Sequence, residues 1–116
     1  MLALFYKLTK RFFSAQWSFS QSGEDAIMLA HVFKTGHKKT TYLDIGANDP
    51  IRLNNSYLLY LNGANGVLVE PHPVLSQKLK QKRKRDKVLN VGVGTDDRNN
   101  VDFFIMTQLS ELMFKL

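Results

Sequence analysis

The stretch TYLDIGANDP at residues 41–50 decides the fold class of this chain. Its first five residues are mostly β-branched, aromatic or aliphatic, which is typical of a short buried strand. Gly46 ends that strand, and Pro50 disfavours helix at the residue before it, so a loop must follow. A second strand is predicted at residues 66–70, stopped by prolines, and a third at residues 88–93.

Helical patterns lie before and between these strands. Ser22 and Asp25 have the spacing of a capping box, and Gly36 closes the helix that it would start. The apolar positions after the box recur at helical spacing, at Ala26, Leu29, Ala30 and Phe33. Further helices are predicted from residue 55 or 56 to residue 63 and from Pro73 onward. This alternation predicts a parallel α/β unit with right-handed crossovers.

The C-terminal part of the chain departs from that alternation. Residues 95–100 are polar and predict a turn, and residues 101–106 have the composition of a fourth strand. We expect that fourth strand to pair with the third one as a hairpin, because a short turn joins them.

Length and composition limit the classes of protein that the chain can represent. With 116 residues it fits one domain, which we assign to residues 20–116. Cysteine is absent, which excludes disulfides, cysteine nucleophiles and thiolate metal sites. The same absence is compatible with a reducing compartment, so we expect a cytoplasmic location. The three histidines show no spacing of a ligand pair, so no metal site is predicted.

Residues 1–19 form an apolar and basic segment that we assign separately as amphipathic. It lacks the pattern of a signal peptide, and no run of about 18 apolar residues predicts a transmembrane segment. Such a segment can make peripheral contact with a membrane, but more often it packs on its own domain or on a partner.

The net charge of +6 is concentrated in one short run. Between residues 78 and 87 Asp86 is the only acid, and the basic residues are Lys78, Lys80, Lys82, Arg83, Lys84, Arg85 and Lys87. The run has two interpretations, contact with phosphates or an anionic membrane, and the solvated face and end of a helix. We favour the solvated helix end, and we expect no specific nucleic-acid partner.

Two carboxylates follow the first two predicted strands. Asp44 closes the first strand and Glu70 the second, and ligands of open parallel sheets bind outside such strand ends. A carboxylate there can accept hydrogen bonds from both hydroxyls of a ribose, and Gly46 lets a ligand approach the backbone. The turn lacks G-x-G-x-x-G and any basic residue, which suits a nucleoside with a positive centre, such as S-adenosylmethionine. A plain strand-to-turn transition with a surface acid explains the spacing equally well.

Four stretches, in this order, carry a family resemblance. They are SQSGED at residues 20–25, YLDIGANDP at 42–50, GANGVLVEPHP at 63–73 and LNVGV at 89–93. Together they resemble the FkbM family of S-adenosylmethionine-dependent methyltransferases, over roughly residues 21–106. The turn after the first strand and the later G-V-x-x-E-P are the most specific parts.

The resemblance implies a set of cofactor-binding residues. It places Asp44, Gly46 and Asn48 in the cofactor turn and Glu70 on the ribose. It also implies that Gln21 and Glu24 belong to an entry helix that lies over the cofactor cleft. For Glu24 and its neighbour Asp25 a plain helix cap is an equally good interpretation.

The resemblance also implies a fold and an activity. The fold is a Rossmann-like methyltransferase half-domain, with parallel strands, crossover helices and a C-terminal β-hairpin strand. The activity is O-methyl transfer to a hydroxylated small molecule or sugar. Residues 107–116 do not match the family's fourth-strand motif, K-x-D-x-E-G, so we assign no catalytic residue and expect no turnover by this chain alone. An open sheet edge would then favour self-association. The alternative is a non-enzymatic binding module whose basic helix contacts nucleic acid or anionic membrane.

Overall fold

Helices and strands alternate along the chain. The computed structural model describes residues 18–37 and 39–105. The elements are α1 (Glu24–Thr35), β1 (Thr41–Ile45), α2 (Tyr57–Leu61), β2 (Asn65–Val69), α3 (Pro73–Lys82) and β3 (Lys87–Leu89). The three strands are parallel and lie in the order β1-β2-β3. This confirms the small α/β class with a parallel sheet. Of the segment assigned to residues 1–19, only Ser18 and Phe19 lie within the described residues.

The core lies on one face of the sheet. Leu68 pairs in register with Asp44 of β1 and with Val88 of β3, and its side chain is fully buried. Around it pack Ala47, Leu79, Tyr42 and Val88. Gly66 pairs with Tyr42, and a Cβ at Gly66 would overlap the Tyr42 carbonyl oxygen and ring. Glycine is therefore what lets the Tyr42 ring lie across β2.

The opposite face of the sheet exposes apolar side chains on its two edge strands, β1 and β3, in the described part of the chain. Leu43 and Ile45 of β1 are 64% and 58% exposed, and Leu89 of β3 is 36% exposed. The register places these residues on the face that carries Val67 and Val69, away from Leu68. Within residues 18–37 and 39–105, no helix has the length and apolar content needed to cross a bilayer.

The start of α1 differs from the prediction. The helix begins at Glu24, its N-cap is Gly23 in a left-handed conformation, and no side chain caps it, so the Ser22–Asp25 capping box is wrong. The Asp25 carboxylate instead turns back to the preceding segment and accepts hydrogen bonds from the backbone N–H groups of Phe19 and Ser20.

The helix predicted before Gly36 is confirmed, with Gly36 as its C-cap, but its apolar positions are not buried within the described residues. Phe33 is 67% exposed and Ala30 is exposed, while Ala26 and Leu29 are half-buried. Asp25 is the buried residue of this helix. The helix packs on α2 and not on the sheet, so little of its apolar surface is covered within the described residues.

The C-terminal prediction is wrong as well. Residues 101–105 form no strand and are exposed, and Met106 lies outside the described residues. β3 ends at Leu89, four residues before the predicted end. After the hydrogen bond from the Glu70 N–H to the Leu89 carbonyl, the groups that would extend the ladder toward β3 have other partners: the His72 N–H donates to Glu70 Oε1, and the Glu70 carbonyl accepts from Asn90 Nδ2. Without pairing to β2, residues 90–93 have no strand partner on that side.

Candidate functional site

The turn after β1 is hydrogen-bonded to the end of β2. The Gly46 N–H donates to the Val69 carbonyl at 2.8 Å. Glu70 is 95% buried, since only 5% of its surface is exposed, and its Oε2 accepts the Asn48 N–H at 2.7 Å. Its Oε1 accepts the His72 N–H at 2.9 Å. One carboxylate thus joins the turns that follow β1 and β2.

The conformation of the first turn explains its residue types. Gly46 has a φ of 75° and Asn48 has a φ of 58°, both in the left-handed region. Glycine enters this region freely, and asparagine tolerates it better than most other residues. The buried Asn54 stabilises the turn, because its Nδ2 donates to the carbonyls of Ala47 and Asp49. The turn is therefore fixed before any ligand arrives.

An open hollow of about 420 Å³ lies at this edge of the sheet. It is bordered by Gly46, Asn48, Glu70, Pro71, His72, Leu75, Phe103, Phe104 and Ile105. The structure therefore brings together three of the six residues proposed for the cofactor, namely Gly46, Asn48 and Glu70. The other three, Asp44, Gln21 and Glu24, do not border the hollow. The apolar wall from Leu75 and residues 103–105 was not predicted.

Glu70 keeps unused hydrogen-bonding capacity. An ionised carboxylate can accept about four hydrogen bonds. Two of these sites are occupied by the backbone N–H groups of Asn48 and His72, one on each oxygen. Each oxygen can therefore accept one more donor, and the hollow is the space from which that donor can come. A ligand with two adjacent hydroxyls matches this arrangement.

Asp44 points into the protein and not into the hollow. Its Oδ2 accepts the Ser56 hydroxyl at 2.6 Å, and the Ser56 oxygen in turn accepts an N–H of Arg83 at 3.0 Å. Ser56 has one proton, so its longer contact of 3.1 Å with Asn54 Oδ1 is secondary. The carboxylate is half-buried and is held by a chain of hydrogen bonds that begins at Arg83.

Arg83 is fully buried and all five of its N–H groups have acceptors. Nε donates to Asp86 at 2.9 Å. Nη1 donates to the Pro50 carbonyl and Asn54 Oδ1, and Nη2 donates to the Tyr42 hydroxyl and the Ser56 hydroxyl. The guanidinium also lies 4.5 Å from the centre of the Tyr60 ring. A buried charge is stable only with such complete pairing.

Asp86 completes the interior network. Its carboxylate accepts the Tyr42 hydroxyl at 2.6 Å and the Gly66 N–H at 2.8 Å, so it joins the starts of β1, β2 and β3. Burial and the hydrogen bond to Asp86 raise the pKa of Tyr42, and Arg83 only partly opposes this. Tyr42 therefore remains a protonated donor over the physiological range.

The structure agrees only in part with the prediction that the basic run is a solvated helix end. All five lysines of the run are exposed, as expected for a solvated helix end: Lys78, Lys80, Lys82, Lys84 and Lys87. Arg83 contradicts it, because this residue is an interior anchor with no exposed surface. Arg85 lies 3.9 Å from the centre of the Tyr60 ring and donates to the Tyr60 carbonyl. Arg83 is therefore an interior residue, while Arg85 contacts Tyr60 from the exposed surface that also carries the lysines.

The predicted entry segment docks on the loop before α2. The Phe19 carbonyl accepts the Asn54 N–H at 3.0 Å, and the Phe19 ring packs edge-on against Tyr57. Gln21 and Glu24 are both exposed. The Ser20 hydroxyl and the Ser22 N–H lower the pKa of Glu24, the hydroxyl having the larger effect. Glu24 therefore interacts with Ser20 and Ser22 of its own segment.

The described histidines and acids form no metal cluster. In residues 18–37 and 39–105, no three histidine, aspartate or glutamate side chains are grouped so that they could hold an ion. His72 has a structural role, because its Nδ1 accepts the Val74 N–H and caps α3. Pro73 follows it as the first residue of that helix.

Comparison with known proteins yields no relative. A scan against protein-family models and searches of curated proteins and of solved structures find no match to this chain. The site geometry and the motif resemblance are therefore the grounds on which a function is proposed.

Proposed function

We propose that the hollow beside Glu70 binds S-adenosylmethionine, and that the chain is the cofactor-binding, Rossmann-like part of a methyltransferase of the FkbM type. One observation carries the proposal. Gly46, Asn48 and Glu70, which the motifs single out, meet at one hollow at the carboxyl edge of a parallel sheet. That edge is where ligands of open α/β sheets bind.

The ribose is the part of the ligand that Glu70 suits. Two hydroxyls on adjacent carbons can donate to the two carboxylate oxygens, each of which has one acceptor site left beyond its backbone partner. Hydrogen bonds to a charged acceptor contribute about 1.5–3 kcal/mol each when solvent is excluded. Because backbone bonds fix the carboxylate beforehand, little entropy is lost when the ligand orients it.

The charge around the hollow supports a cationic nucleoside over a dinucleotide. Glu70 borders the hollow, and among residues 18–37 and 39–105 no lysine or arginine does. A pyrophosphate would face this carboxylate without a compensating cation, which is unfavourable. A sulfonium has the opposite charge. The apolar wall formed by Leu75, Phe103 and Phe104 offers an adenine ring a surface on which to pack.

The reaction proposed is transfer of the methyl group from the sulfonium to a hydroxyl oxygen of a small molecule or sugar. This transfer needs alignment of donor and acceptor and loss of the hydroxyl proton. The acceptor class comes from the family resemblance, and no residue of the chain is assigned as the base. The alternative of a non-enzymatic module is favoured by one observation, the five exposed lysines between residues 78 and 87.

A thermodynamic cycle tests the role of Glu70. Calorimetry would compare adenosine with 2′,3′-dideoxyadenosine on the wild-type chain and on Glu70→Gln. We expect the wild-type chain to prefer adenosine by about tenfold or more, because the hydroxyls donate to a carboxylate. The variant should lose most of that preference. Asp97→Asn, an exposed acid away from the hollow, is the control and should keep it.

The ligand comparison protects the test from a folding artefact. Glu70→Gln changes two backbone hydrogen bonds, so a lower affinity alone could reflect a disturbed turn. The comparison of the two nucleosides on the wild-type chain is free of this problem, since that chain carries no substitution in either titration. Equal affinity of the wild-type chain for both nucleosides would remove Glu70 from ribose binding. Binding of nucleic acid or anionic vesicles through the exposed lysines, with no binding of either nucleoside, would favour the binding-module alternative.

A further inference from the structure

A second hollow, of about 430 Å³, lies along α3 and shares no bordering residue with the first. Its polar border consists of Ser76, Gln77, Lys80, Gln81, Lys84 and Asn90. Ser76 and Lys80, and Gln77 and Gln81, are four residues apart, so each pair lies on one side of the helix. The volume is within the usual range of about 300–1,000 Å³ for small-molecule sites.

Ser76 has an unexplained hydroxyl at the border of this hollow. The residue is only 2% exposed, and its Oγ has no hydrogen-bond partner within the part of the chain that the structure describes. Its backbone is fully helical, since its N–H donates to the His72 carbonyl at 2.9 Å. Buried hydroxyls almost always have a partner, because an unpaired one is destabilising. Because Ser76 borders the hollow, its unpaired hydroxyl is the donor that a ligand bound there would be expected to engage.

The positive charges and hydrogen-bond donors that border the hollow favour an anion with several oxygen atoms. Lys80 and Lys84 contribute two positive charges, and no carboxylate from the described part of the chain borders the hollow. Gln77, Gln81 and Ser76 add donors around the same space. Asn90, which also borders the hollow, is held in place because its Nδ2 donates to the carbonyls of Glu70 and Pro71 at 2.9 Å each. Lysine ammoniums with neutral donors form the usual environment of a bound phosphate.

We propose that this hollow, defined by Ser76, Lys80 and Lys84, binds the phosphate group of a phosphomonoester. The site is independent of the cofactor proposal, because it uses different residues and opposite charge. It differs from general attraction to polyanions, since Lys78 and Lys82 are also exposed on α3 but do not border the hollow.

The arrangement of lysines on α3 provides a matched test. The full chain and two double variants, Lys80→Ala/Lys84→Ala and Lys78→Ala/Lys82→Ala, would be titrated with inorganic phosphate at constant ionic strength by NMR. Both variants lose two positive charges. We expect the first to bind phosphate at least tenfold more weakly and the second to change less than twofold, because only the first removes groups at the hollow. Equal weakening in both would show general electrostatics and overturn the proposal.

Ser76→Ala separates binding from folding. Removing an unpaired buried hydroxyl should leave the thermal midpoint unchanged or raised, while phosphate binding weakens about tenfold through loss of one charged hydrogen bond. Unchanged phosphate affinity would exclude Ser76 as a ligand-binding group and contradict the proposed site.

Vesicles distinguish a free phosphate compound from a lipid headgroup. Phosphatidic acid exposes a phosphomonoester, whereas phosphatidylglycerol carries charge without one. Inorganic phosphate binding with no preference between these vesicles would indicate a soluble phosphomonoester. Preference for phosphatidic acid, lost in Lys80→Ala/Lys84→Ala alone, would indicate the lipid. Binding to both vesicles with no binding of inorganic phosphate would overturn the proposal.

Discussion

The guanidinium of Arg83 has five N–H groups, and each of them meets an acceptor inside the protein. Three of these acceptors belong to the loop between β1 and α2, at Pro50, Asn54 and Ser56. Through Ser56 the network reaches Asp44 at the end of β1. A residue that follows the last turn of α3 thus orients the turn that leads to the proposed cofactor site.

We predict that Arg83→Lys destabilises the fold by about 3 kcal/mol, because several of the buried acceptors that Arg83 satisfies are left without a donor. Lysine restores the charge but cannot reproduce the five-donor fork. Urea unfolding measures the free energy. Arg98→Lys is the control, since Arg98 pairs with Asp96 at the surface and should change stability by less than about 0.5 kcal/mol. Similar losses in the two variants would contradict the interior role of Arg83.

Strand position indicated that Gly46 and Glu70 lie at one edge of the sheet, since the ends of parallel strands meet there, and the family resemblance added Asn48. The structure brings these three residues to one hollow, and whether they bind a cofactor stays a prediction. The burial of Arg83 was not predicted, because this residue lies in a run that contains exposed lysines. Asp86, three residues later, was the one local indication of an ion pair. Tyrosines at positions 42, 57 and 60 face it only in three dimensions, so no local pattern reveals them.

Among the elements, the first two strands were predicted most closely. β1 has the predicted bounds, and β2 begins one residue earlier than expected. Their alternation and flanking glycines and prolines are local features, so the sequence contains them. The length of β3 depends on contacts that no local pattern shows, because the His72 N–H and the Glu70 carbonyl bond to side chains instead of extending the ladder. The start of α1 depends on where Asp25 finds donors, which local spacing could not indicate.

The α1 helix provides a prediction on pH. Desolvation acts to raise the pKa of Asp25, but hydrogen bonds from Phe19, Ser18 and Ser20 outweigh it and lower the pKa below its ordinary value of 3.8. The ionised form therefore stabilises the fold fully above about pH 4, and this contribution is lost as the pH falls through the lower folded value.

We expect Asp25→Asn to cost about 2 kcal/mol near pH 7, through the loss of charged hydrogen bonds from the entry segment. The difference from the wild-type chain should shrink as the pH falls below about 4, because the wild-type carboxyl is then protonated too. Chemical denaturation at several pH values measures it. Asp97→Asn, an exposed acid, should show no such difference. A gap that stays constant down to pH 2 would exclude the carboxylate charge as its cause.

For the whole molecule, the apolar residues exposed on β1 favour association between chains. Leu43 and Ile45 expose apolar surface on β1, which pairs only with β2 among the described residues. Exposed apolar faces and unpaired edges both promote association. We propose that the chain self-associates through this region at high concentration.

We therefore predict that Leu43→Lys lowers the self-association constant by about tenfold, measured by sedimentation velocity over a concentration series, because a charge would have to be buried at the contact. Ile27→Lys is the control, since Ile27 is 73% exposed but lies on α1. Equal effects of the two substitutions, or a monomeric wild-type chain at every concentration, would exclude β1 as the contact.

The central claim is that the carboxyl edge of the sheet binds S-adenosylmethionine beside Glu70, and its most direct test is a two-dimensional NMR titration of the ¹⁵N-labelled chain. The account predicts concentration-dependent shifts of the backbone amides of Gly46, Asn48 and His72, since the last two donate to the Glu70 carboxylate. Glu70→Gln should abolish them, while the amides of Lys80 and Lys84 stay unchanged in both. Absence of shifts at these three amides at saturating ligand, or shifts confined to α3, would contradict the account.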